Sequence, residues 1–129
     1  MITGIIHFAL LVRDYDEAKK FYCGILNFEV VEDTELDTKR WLRIAPPGYL
    51  GSEILLSKAT NDQEVAQVGN QAGGRVLLFL KSDDLEADFK KLSAEGVEFA
   101  EQPRTEAYGK VAVFKDLYGN RIDLIQPLR

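Results

Sequence analysis

The 129-residue chain has very few of the residues that build thiol centres and multi-histidine sites. It contains one cysteine, Cys23, and one histidine, His7. A single cysteine excludes an internal disulfide and a thiolate-rich metal centre. A single histidine excludes the two-His-one-carboxylate site of non-haem iron oxygenases, which argues against extradiol cleavage. Cys23 falls on the apolar side of a predicted helix, where a cysteine typically serves as small core filler.

Long hydrophobic runs and a surplus of basic residues are also missing. No apolar stretch approaches the roughly 20 residues that span a bilayer, and no basic segment precedes a long apolar one at the N-terminus. We therefore expect a cytoplasmic protein with no membrane partner. The formal net charge of -5 opposes tight binding to a phosphate backbone, so nucleic acid is not an expected partner.

One pattern occurs twice in the chain. An apolar run that begins at His7 and another that begins at Val76 each end at Asp-x-x-Glu followed by Ala. Such a duplicated half-module usually cannot bury its own hydrophobic face, so two copies must pair and enclose a space. We expect function to lie in that space.

Each copy continues with a helix pattern. Asp-x-x-Glu can form a capping box, an apolar stripe follows at helical spacing, and a residue suited to a left-handed cap ends the helix. In the first copy these features are Asp14 with Glu17, then Ala18, Phe21, Tyr22 and Ile25, then Asn27; in the second they are Asp83 with Glu86, then Leu85, Phe89 and Leu92, then Gly96.

Strand-like segments surround both helices, so each half is predicted to run β-α-β-β-β. Residues 5–12 are nearly continuous apolar sequence, which is typical of a strand covered on both faces. The later strands are predicted at 28–32, 40–44 and 53–56 in the first half, and at 97–101, 111–115 and 121–126 in the second. We expect a single domain with module one at 1–57, a polar linker at 58–73 with one helical turn near 63–66, and module two at 74–129.

These features resemble the vicinal oxygen chelate superfamily, which includes glyoxalase I, bleomycin-resistance proteins and dioxygenases. The resemblance covers essentially the whole chain. It rests on the first-strand His7, a helix entered through Arg13-Asp14 and ended before Phe28-Glu29-Val30, and a closing Asp-Leu-Tyr-Gly-Asn-Arg-Ile-Asp-Leu segment at 116–124. It implies an α+β fold in which two βαβββ modules form a cupped mixed sheet with helices on the outer face.

The resemblance also implies a set of metal ligands. In metal-using members the first and last strands of each module supply them, and the matching positions here are His7, Glu53, Leu77 and Asp123. Three of the four can bind a metal and Leu77 cannot. An imidazole with two carboxylates suits a divalent ion such as Ni, Mn, Co, Fe or Zn. Such an ion would act as a Lewis acid toward two adjacent substrate oxygens, and Glu53 would be both ligand and catalytic base.

The same residues have simpler interpretations. A lone histidine in an apolar strand is often a hydrogen-bonded core residue. A buried carboxylate needs a partner, and Glu53 and Asp123 could pair with Arg43, Arg75 or Arg121, or lie exposed at a strand start.

Three functions therefore remain open. The first is a metal-dependent glyoxalase-like lyase or isomerase that acts on a small substrate with adjacent oxygens. The second is a metal-free binding or resistance protein that sequesters an aromatic or cationic compound. The third is a structural or regulatory protein whose cleft is filled by side chains.

A small-molecule ligand is the expected partner, together with a second copy of the chain. Trp41, Arg43, Phe79 and Tyr108 are predicted to line the substrate pocket, and Tyr49 and Phe114 are further aromatic candidates. A homodimer is expected because open sheets leave edges that a second copy can cover, and members of the superfamily commonly pair this way.

Overall fold

The chain forms two compact units in a computed structural model that describes residues 1–48 and 51–128. The first unit comprises residues 1–68 and the second residues 69–129, so the boundary lies within the segment predicted as the linker. No helix in the described residues is long and apolar enough to cross a membrane.

The first unit is built around a four-stranded mixed sheet. Its elements are β1 (His7–Val12), α1 (Tyr15–Lys19) with a π-helical continuation (Lys20–Ile25), β2 (Glu29–Glu35), β3 (Arg40–Ala45), β4 (Glu53–Lys58) and α2 (Asp62–Gln67). The strand order is β1-β4-β3-β2, with β1 and β4 parallel and the other neighbours antiparallel. The predicted helical turn in the linker corresponds to α2, which buries none of its side chains.

The second unit repeats this arrangement. Its elements are β5 (Val76–Lys81), α3 (Leu85–Ala94), β6 (Phe99–Glu106), β7 (Gly109–Lys115) and β8 (Arg121–Pro127). The strand order is β5-β8-β7-β6, with β5 and β8 parallel. The predicted α+β class and the β-α-β-β-β order of each half are confirmed.

The helix starts follow from local capping, with one correction. Asp14 is the N-cap of α1 and its Oδ2 accepts a hydrogen bond from the Glu17 backbone N–H at 2.9 Å, as predicted. The predicted cap Asp83 is wrong, because Asp84 caps α3. The buried Ser82 explains the shift: its hydroxyl accepts from the Asp84 N–H at 3.1 Å, which extends the turn by one residue before the helix begins.

The first helix does not stay α-helical over its whole length. The sequence predicts a continuous α-helix to Ile25, but the α-helix ends at Lys19 and π-helical turns follow. Phe21 and Tyr22, neighbours in sequence, are both buried. A wider turn brings neighbouring side chains closer to the same face, and the Tyr22 ring then contacts Phe28 edge-on at 5.7 Å between centroids.

Strand β1 is covered on one face rather than on both. Leu10 and Val12 are buried on one face of the strand, whereas on the opposite face Ala9 is exposed and Leu11 is only half-buried. The strand also begins at His7, and the preceding Ile5 and Ile6 are 72% and 75% exposed. The prediction of a doubly covered strand was wrong because a single unit packs its helix against one sheet face only.

In the second unit the turn between β7 and β8 is held by a buried carboxylate. Asp116 Oδ1 accepts hydrogen bonds from the backbone N–H groups of Tyr118 and Asn120, both at 2.9 Å. Asp116 Oδ2 accepts from the Asn120 side-chain amide at 2.9 Å. Gly69 lies against this turn with a φ of +80°, close to the Tyr118 carbonyl.

Candidate functional site

Sheet pairing brings two of the predicted site residues together in the first unit. His7 of β1 lies directly opposite Glu53 of β4 in the parallel register. Neighbouring strands are about 5 Å apart, and paired residues project from the same sheet face. His7 and Glu53 are therefore adjacent, and both are half-buried.

Glu53 is already engaged by a cation. The Nη1 of Arg43, on β3, donates a hydrogen bond to Glu53 Oε1. The Nη2 and Nε of Arg43 donate hydrogen bonds to Glu32 Oε1 at 2.9 and 3.2 Å. Of the three partners that the sequence allowed for Glu53, the structure places Arg43 there. The hydrogen bonds that Arg43 donates to Glu53 and Glu32 raise the pKa of Arg43, and the one that Glu32 accepts from Arg43 lowers the pKa of Glu32.

Glu32 is a member of this cluster that the sequence analysis missed. It lies opposite Arg43 in the β2–β3 pairing, next to an irregularity in register between Val30 and Glu32. Strand alternation predicts residue types on each face only while the register is regular. The residue opposite Arg43 in a regularly paired β2–β3 hairpin could be identified from the sequence. The irregularity shifts the pairing by one position, so regular pairing does not point to Glu32.

An aromatic pair completes this surface. The ring centroids of His7 and Trp41 are 5.6 Å apart with their planes at 77°, an edge-on contact. Lys39 Nζ lies 5.7 Å from the centroid of the Trp41 ring. We call the surface formed by His7, Glu32, Trp41, Arg43 and Glu53 the His7 face.

The imidazole on the His7 face is incompletely satisfied. His7 Nδ1 is buried and has no hydrogen-bond partner within residues 1–48 and 51–128. A buried polar atom without a partner destabilises a fold by about 1–3 kcal/mol, so such atoms call for an explanation in function or binding. A polar group of a ligand is one such partner.

Asp123 stands in a comparable position in the second unit. In β8 it lies opposite Phe79 of β5 and Val113 of β7. Its Oδ1 is the other buried side-chain atom without a hydrogen-bond partner in the described part of the chain. Burial raises the pKa of the Asp123 carboxyl, an effect that Arg104 opposes and Glu101 reinforces. A carboxyl with a raised pKa in a sheet face is a candidate for proton transfer or ligand binding.

The register in this unit also locates the predicted fourth ligand position. Leu77 lies in an irregularity between Val76 and Leu78, so Phe79 rather than Leu77 faces Asp123 across the β5–β8 pair. Both residues are apolar, and neither can bind a metal.

The remaining residues predicted to line the pocket differ in how far they are exposed. Phe79 is 66% exposed, and Tyr108, in the turn between β6 and β7, is 57% exposed. Phe114 is 1% exposed and contacts the Phe99 ring at 5.7 Å, so it belongs to the core of the second unit. Tyr49 lies outside the described residues.

The His7 face does not fit a divalent metal ion as it stands. Within the described residues no group of three or more His, Cys, Asp or Glu side chains is arranged to hold one. In the first unit the carboxylate of Glu53 is bound by Arg43, and a divalent cation beside His7 would approach that guanidinium. Like charges at such a separation repel strongly in a partly buried site.

We predict that Asp123→Asn stabilises the second unit at neutral pH. The raised pKa of the Asp123 carboxyl means that its charged form is disfavoured in the folded state. The charged carboxylate therefore destabilises the fold above the pKa of the folded state, and this effect disappears as the pH falls to the pKa of the unfolded state. We expect the melting temperature to rise by about 2–4 °C at pH 7 and the difference to shrink on acidification toward pH 4.

Thermal melts by circular dichroism between pH 4 and pH 8 measure this effect. Asp37→Asn, which replaces an exposed carboxylate, is the matched control and should leave the melting temperature nearly unchanged. A lower melting temperature for Asp123→Asn at pH 7 would show that the carboxylate stabilises the fold.

Comparison with known proteins identifies relatives along the whole chain. The family model described as the Glyoxalase/Bleomycin resistance protein/Dioxygenase superfamily matches residues 4–124. A protein of Shewanella frigidimarina, described as uncharacterized, is 47% identical over 129 residues, which cover 98% of this chain and 95% of the relative.

Two solved structures are similar in fold and partly in sequence. UcmS2 has a TM-score of 0.85 and 29% identity, with 97% of this chain and 98% of that chain covered. TnmS3, an antibiotic binding protein from Streptomyces sp. CB03234, has a TM-score of 0.81 and 30% identity, with 98% of this chain and 97% of that chain covered.

Proposed function

Because this chain belongs to the glyoxalase/bleomycin resistance protein/dioxygenase superfamily, we propose that it is a small-molecule-binding protein that holds an aromatic ligand on the His7 face without a metal ion. The observation that carries the proposal is the ion pair of Arg43 with Glu53 beside the ring pair of His7 and Trp41. The protein compensates its own charge at this position and offers aromatic surface next to it.

The chemistry of the face indicates which ligands suit it. Binding sites for small molecules are mostly apolar or aromatic and carry a few polar groups that orient the ligand. Trp41 supplies the aromatic surface and His7 Nδ1 supplies an unsatisfied polar atom. Glu32 and Glu53 share one guanidinium, and Lys39 over the Trp41 ring offsets the remaining charge, but the chain as a whole carries a formal net charge of -5. A planar aromatic compound that is neutral or cationic is therefore favoured over an anionic one.

The solved relatives support a binding role. TnmS3 is an antibiotic binding protein and covers nearly the whole length of this chain. Fold alone does not determine function in a superfamily that includes both enzymes and binding proteins. The similarity therefore adds to the argument from the His7 face.

Trp41 is the only tryptophan and reports directly on the His7 face. We expect 9-aminoacridine, a planar aromatic cation, to quench its fluorescence with a Kd in the range of about 1–100 μM, and 2-naphthoate, an aromatic anion, to bind at least ~10-fold more weakly. Addition of EDTA should leave the titration unchanged.

Calorimetry then locates the binding site. Trp41→Ala should weaken 9-aminoacridine binding by about 10-fold, because aromatic stacking contributes on the order of 1 kcal/mol or more. Val65→Ala, on the exposed side of α2, is the matched control and should bind like the wild type. Equal affinity of Trp41→Ala and Val65→Ala would contradict binding on the His7 face, and loss of binding in EDTA would contradict metal independence.

A second candidate function is the metal-dependent lyase or isomerase that the resemblance implies, with His7, Glu53 and Asp123 as ligands. Its specific support is that, in the described part of the chain, the buried side-chain atoms without a hydrogen-bond partner are Nδ1 of His7 in the first unit and Oδ1 of Asp123 in the second. It requires Glu53 to be released from Arg43. Stoichiometric divalent metal in tag-free wild-type protein, lost in His7→Ala, would establish this candidate over the first.

We also propose that the chain forms a homodimer through the edge of the first sheet. Strand β1 is an edge strand, and the segment before it exposes Ile2, Ile5 and Ile6 to between 72% and 94%. Exposed apolar groups beside an open strand edge favour pairing with another chain. Sedimentation equilibrium should show a dimer that Ile5→Lys converts to monomer; a wild-type monomer at about 100 μM would contradict it.

A further inference from the structure

We propose that Arg40 is a positioning residue for the His7 face, because it joins the end of the β2–β3 hairpin to helix α1 and thereby holds Trp41 beside His7. Arg40 is not itself part of the face. The inference rests on the proposed binding function and adds a residue that controls the site from the opposite side of the sheet.

The end of the β2–β3 hairpin has little support from the rest of the sheet. Within the described residues, β3 pairs with β4 from Leu42 to Ile44, whereas its pairing with β2 continues outward through Trp41 to Arg40. Strand β2 is the edge strand of this sheet. A two-stranded hairpin by itself is at best marginally stable in water. Trp41 therefore lies on a segment, residues 34–41, whose position depends on further contacts; we call this segment the hairpin end.

Arg40 supplies such contacts through its whole guanidinium group. Its Nε and Nη2 donate hydrogen bonds to the two carboxylate oxygens of Asp33 at 2.7 and 2.8 Å, and its Nη1 donates to Asp16 Oδ1 on α1 at 2.8 Å. The Arg40 side chain is only 18% exposed, so water competes with these bonds less than with those of an exposed ion pair. A bidentate pair of this kind has a fixed geometry, which most surface ion pairs lack.

Helix α1 contributes three of its five residues to this network. Besides Asp16, Lys19 Nζ donates a hydrogen bond to Asp33 Oδ2 at 2.9 Å, and the centroid of the Tyr15 ring lies 5.8 Å from Arg40 Cζ. The hydrogen bonds from Arg40 and Lys19 hold the pKa of Asp33 well below its usual range, so this carboxylate is charged at neutral pH. The hairpin end is thus connected to α1 both through Arg40 and through Asp33 at its base.

The network acts on the His7 face through the backbone of β3. Side chains alternate along a strand, so Arg40 and Trp41 project from opposite faces of the sheet. With the backbone fixed from one face, the Trp41 ring meets the His7 ring edge-on at 5.6 Å on the other. Without the network the hairpin end is free to move, and Trp41 must be ordered again each time a ligand binds. Such ordering reduces affinity.

Acrylamide quenching and ligand titration of Arg40→Met test this inference. Trp41 is the only tryptophan, so quenching by this neutral compound reports the accessibility of that ring alone. We expect the quenching constant to rise about 2-fold, because the hairpin end opens locally. We expect the Kd of 9-aminoacridine to rise about 3- to 10-fold, because more side chains are ordered on binding. Removal of a positive charge would by itself strengthen binding of this cation.

Arg104→Met is the matched control for the loss of charge. Arg104 also pairs with two carboxylates, those of Glu101 and Glu106, but it lies in the second unit. Its replacement removes the same charge from the chain and should leave both the quenching constant and the Kd close to the wild-type values.

Two further variants define how Arg40 acts. The double variant Asp16→Asn/Lys19→Met removes the hydrogen bonds to α1, keeps the pair of Arg40 with Asp33 and leaves the net charge unchanged. It should reproduce both effects of Arg40→Met. Arg40→Lys keeps the charge but not the bidentate geometry, and it gives the same comparison if Arg40→Met does not fold, as judged by circular dichroism.

Three results would overturn the inference: quenching in Arg40→Met that equals quenching in Arg104→Met, weaker 9-aminoacridine binding without a change in quenching, or a double variant that behaves like the wild type. Failure of the proposed function has a different signature. In that case 9-aminoacridine does not bind the wild-type protein, whereas Trp41 is still quenched more strongly in Arg40→Met than in Arg104→Met.

Discussion

Gly69→Ala is expected to lower the free energy of unfolding by about 3–5 kcal/mol, the upper range for a single substitution. Gly69 has a φ of +80°, a conformation that residues with a Cβ rarely adopt. A Cβ at this position would overlap the Tyr118 carbonyl oxygen and lie 2.8 Å from its carbonyl carbon. These are backbone atoms of the β7–β8 turn, so a side-chain rotation cannot relieve the overlap and either the turn or the chain at Gly69 must move.

Gly73→Ala separates the steric effect from the backbone effect. Gly73 also has a positive φ, +66°, but a Cβ there would meet no heavy atom within 4 Å. Only the unfavourable backbone conformation remains, and the expected loss is about 1 kcal/mol. Urea unfolding followed by circular dichroism measures both variants. Similar midpoints for Gly69→Ala and Gly73→Ala would show that Gly69 is not packed against the turn as described.

Asp116→Ala is expected to lower the free energy of unfolding by about 2–4 kcal/mol. Asp116 is 5% exposed, and its carboxylate accepts three hydrogen bonds within the β7–β8 turn. Alanine would leave the N–H groups of Tyr118 and Asn120 without this acceptor in a buried position. A charged acceptor strengthens such bonds, so the loss exceeds that of a neutral hydrogen bond.

A reciprocal exchange provides the control for Asp116. Asp116→Asn keeps an oxygen acceptor for the backbone N–H groups but turns an amide toward the amide of Asn120. We expect it to lower the free energy of unfolding by about half as much as Asp116→Ala. Adding Asn120→Asp restores a donor–acceptor pair and should recover part of the loss. Urea midpoints measured for all three variants test this order. Equal destabilisation in the single Asn variant and the double variant would contradict the described hydrogen bonds.

Much of the architecture could be predicted from the sequence because it depends on local chemistry. Prediction of the apolar runs and of the cap at Asp14 required only neighbouring residues. The same holds for the helix ends at Asn27 and Gly96, which have φ values of 61° and 87°. Strand lengths were less accurate: β2 runs to Glu35 although the apolar pattern stops at Val31, because backbone pairing with β3 continues under polar side chains. The π-helical turns depend on how Phe21 and Tyr22 pack, which a sequence pattern does not contain.

Four of the five residues of the His7 face were named from the sequence, but Glu32 was not, and neither were the contacts between the side chains. Family position led to His7 and Glu53, and register then placed them side by side. Arg43 was recognised both as a pocket residue and as a possible partner of Glu53, yet its simultaneous contact with Glu32 depends on an irregular β2–β3 register. Ion pairs between strands are determined by register and rotamers, and residue order alone determines neither.

The short helix α2 gives the chain a permissive position for engineering. Its six residues, Asp62–Gln67, bury no side chain, and Asn61 caps the helix because its Oδ1 accepts a hydrogen bond from the nearby Glu64 N–H. A segment that buries no side chain tolerates inserted peptides and is cut by proteases more readily than packed elements. An epitope or a protease recognition sequence placed there would leave the strands of both sheets uninterrupted, so the chain could be labelled or cut at this position.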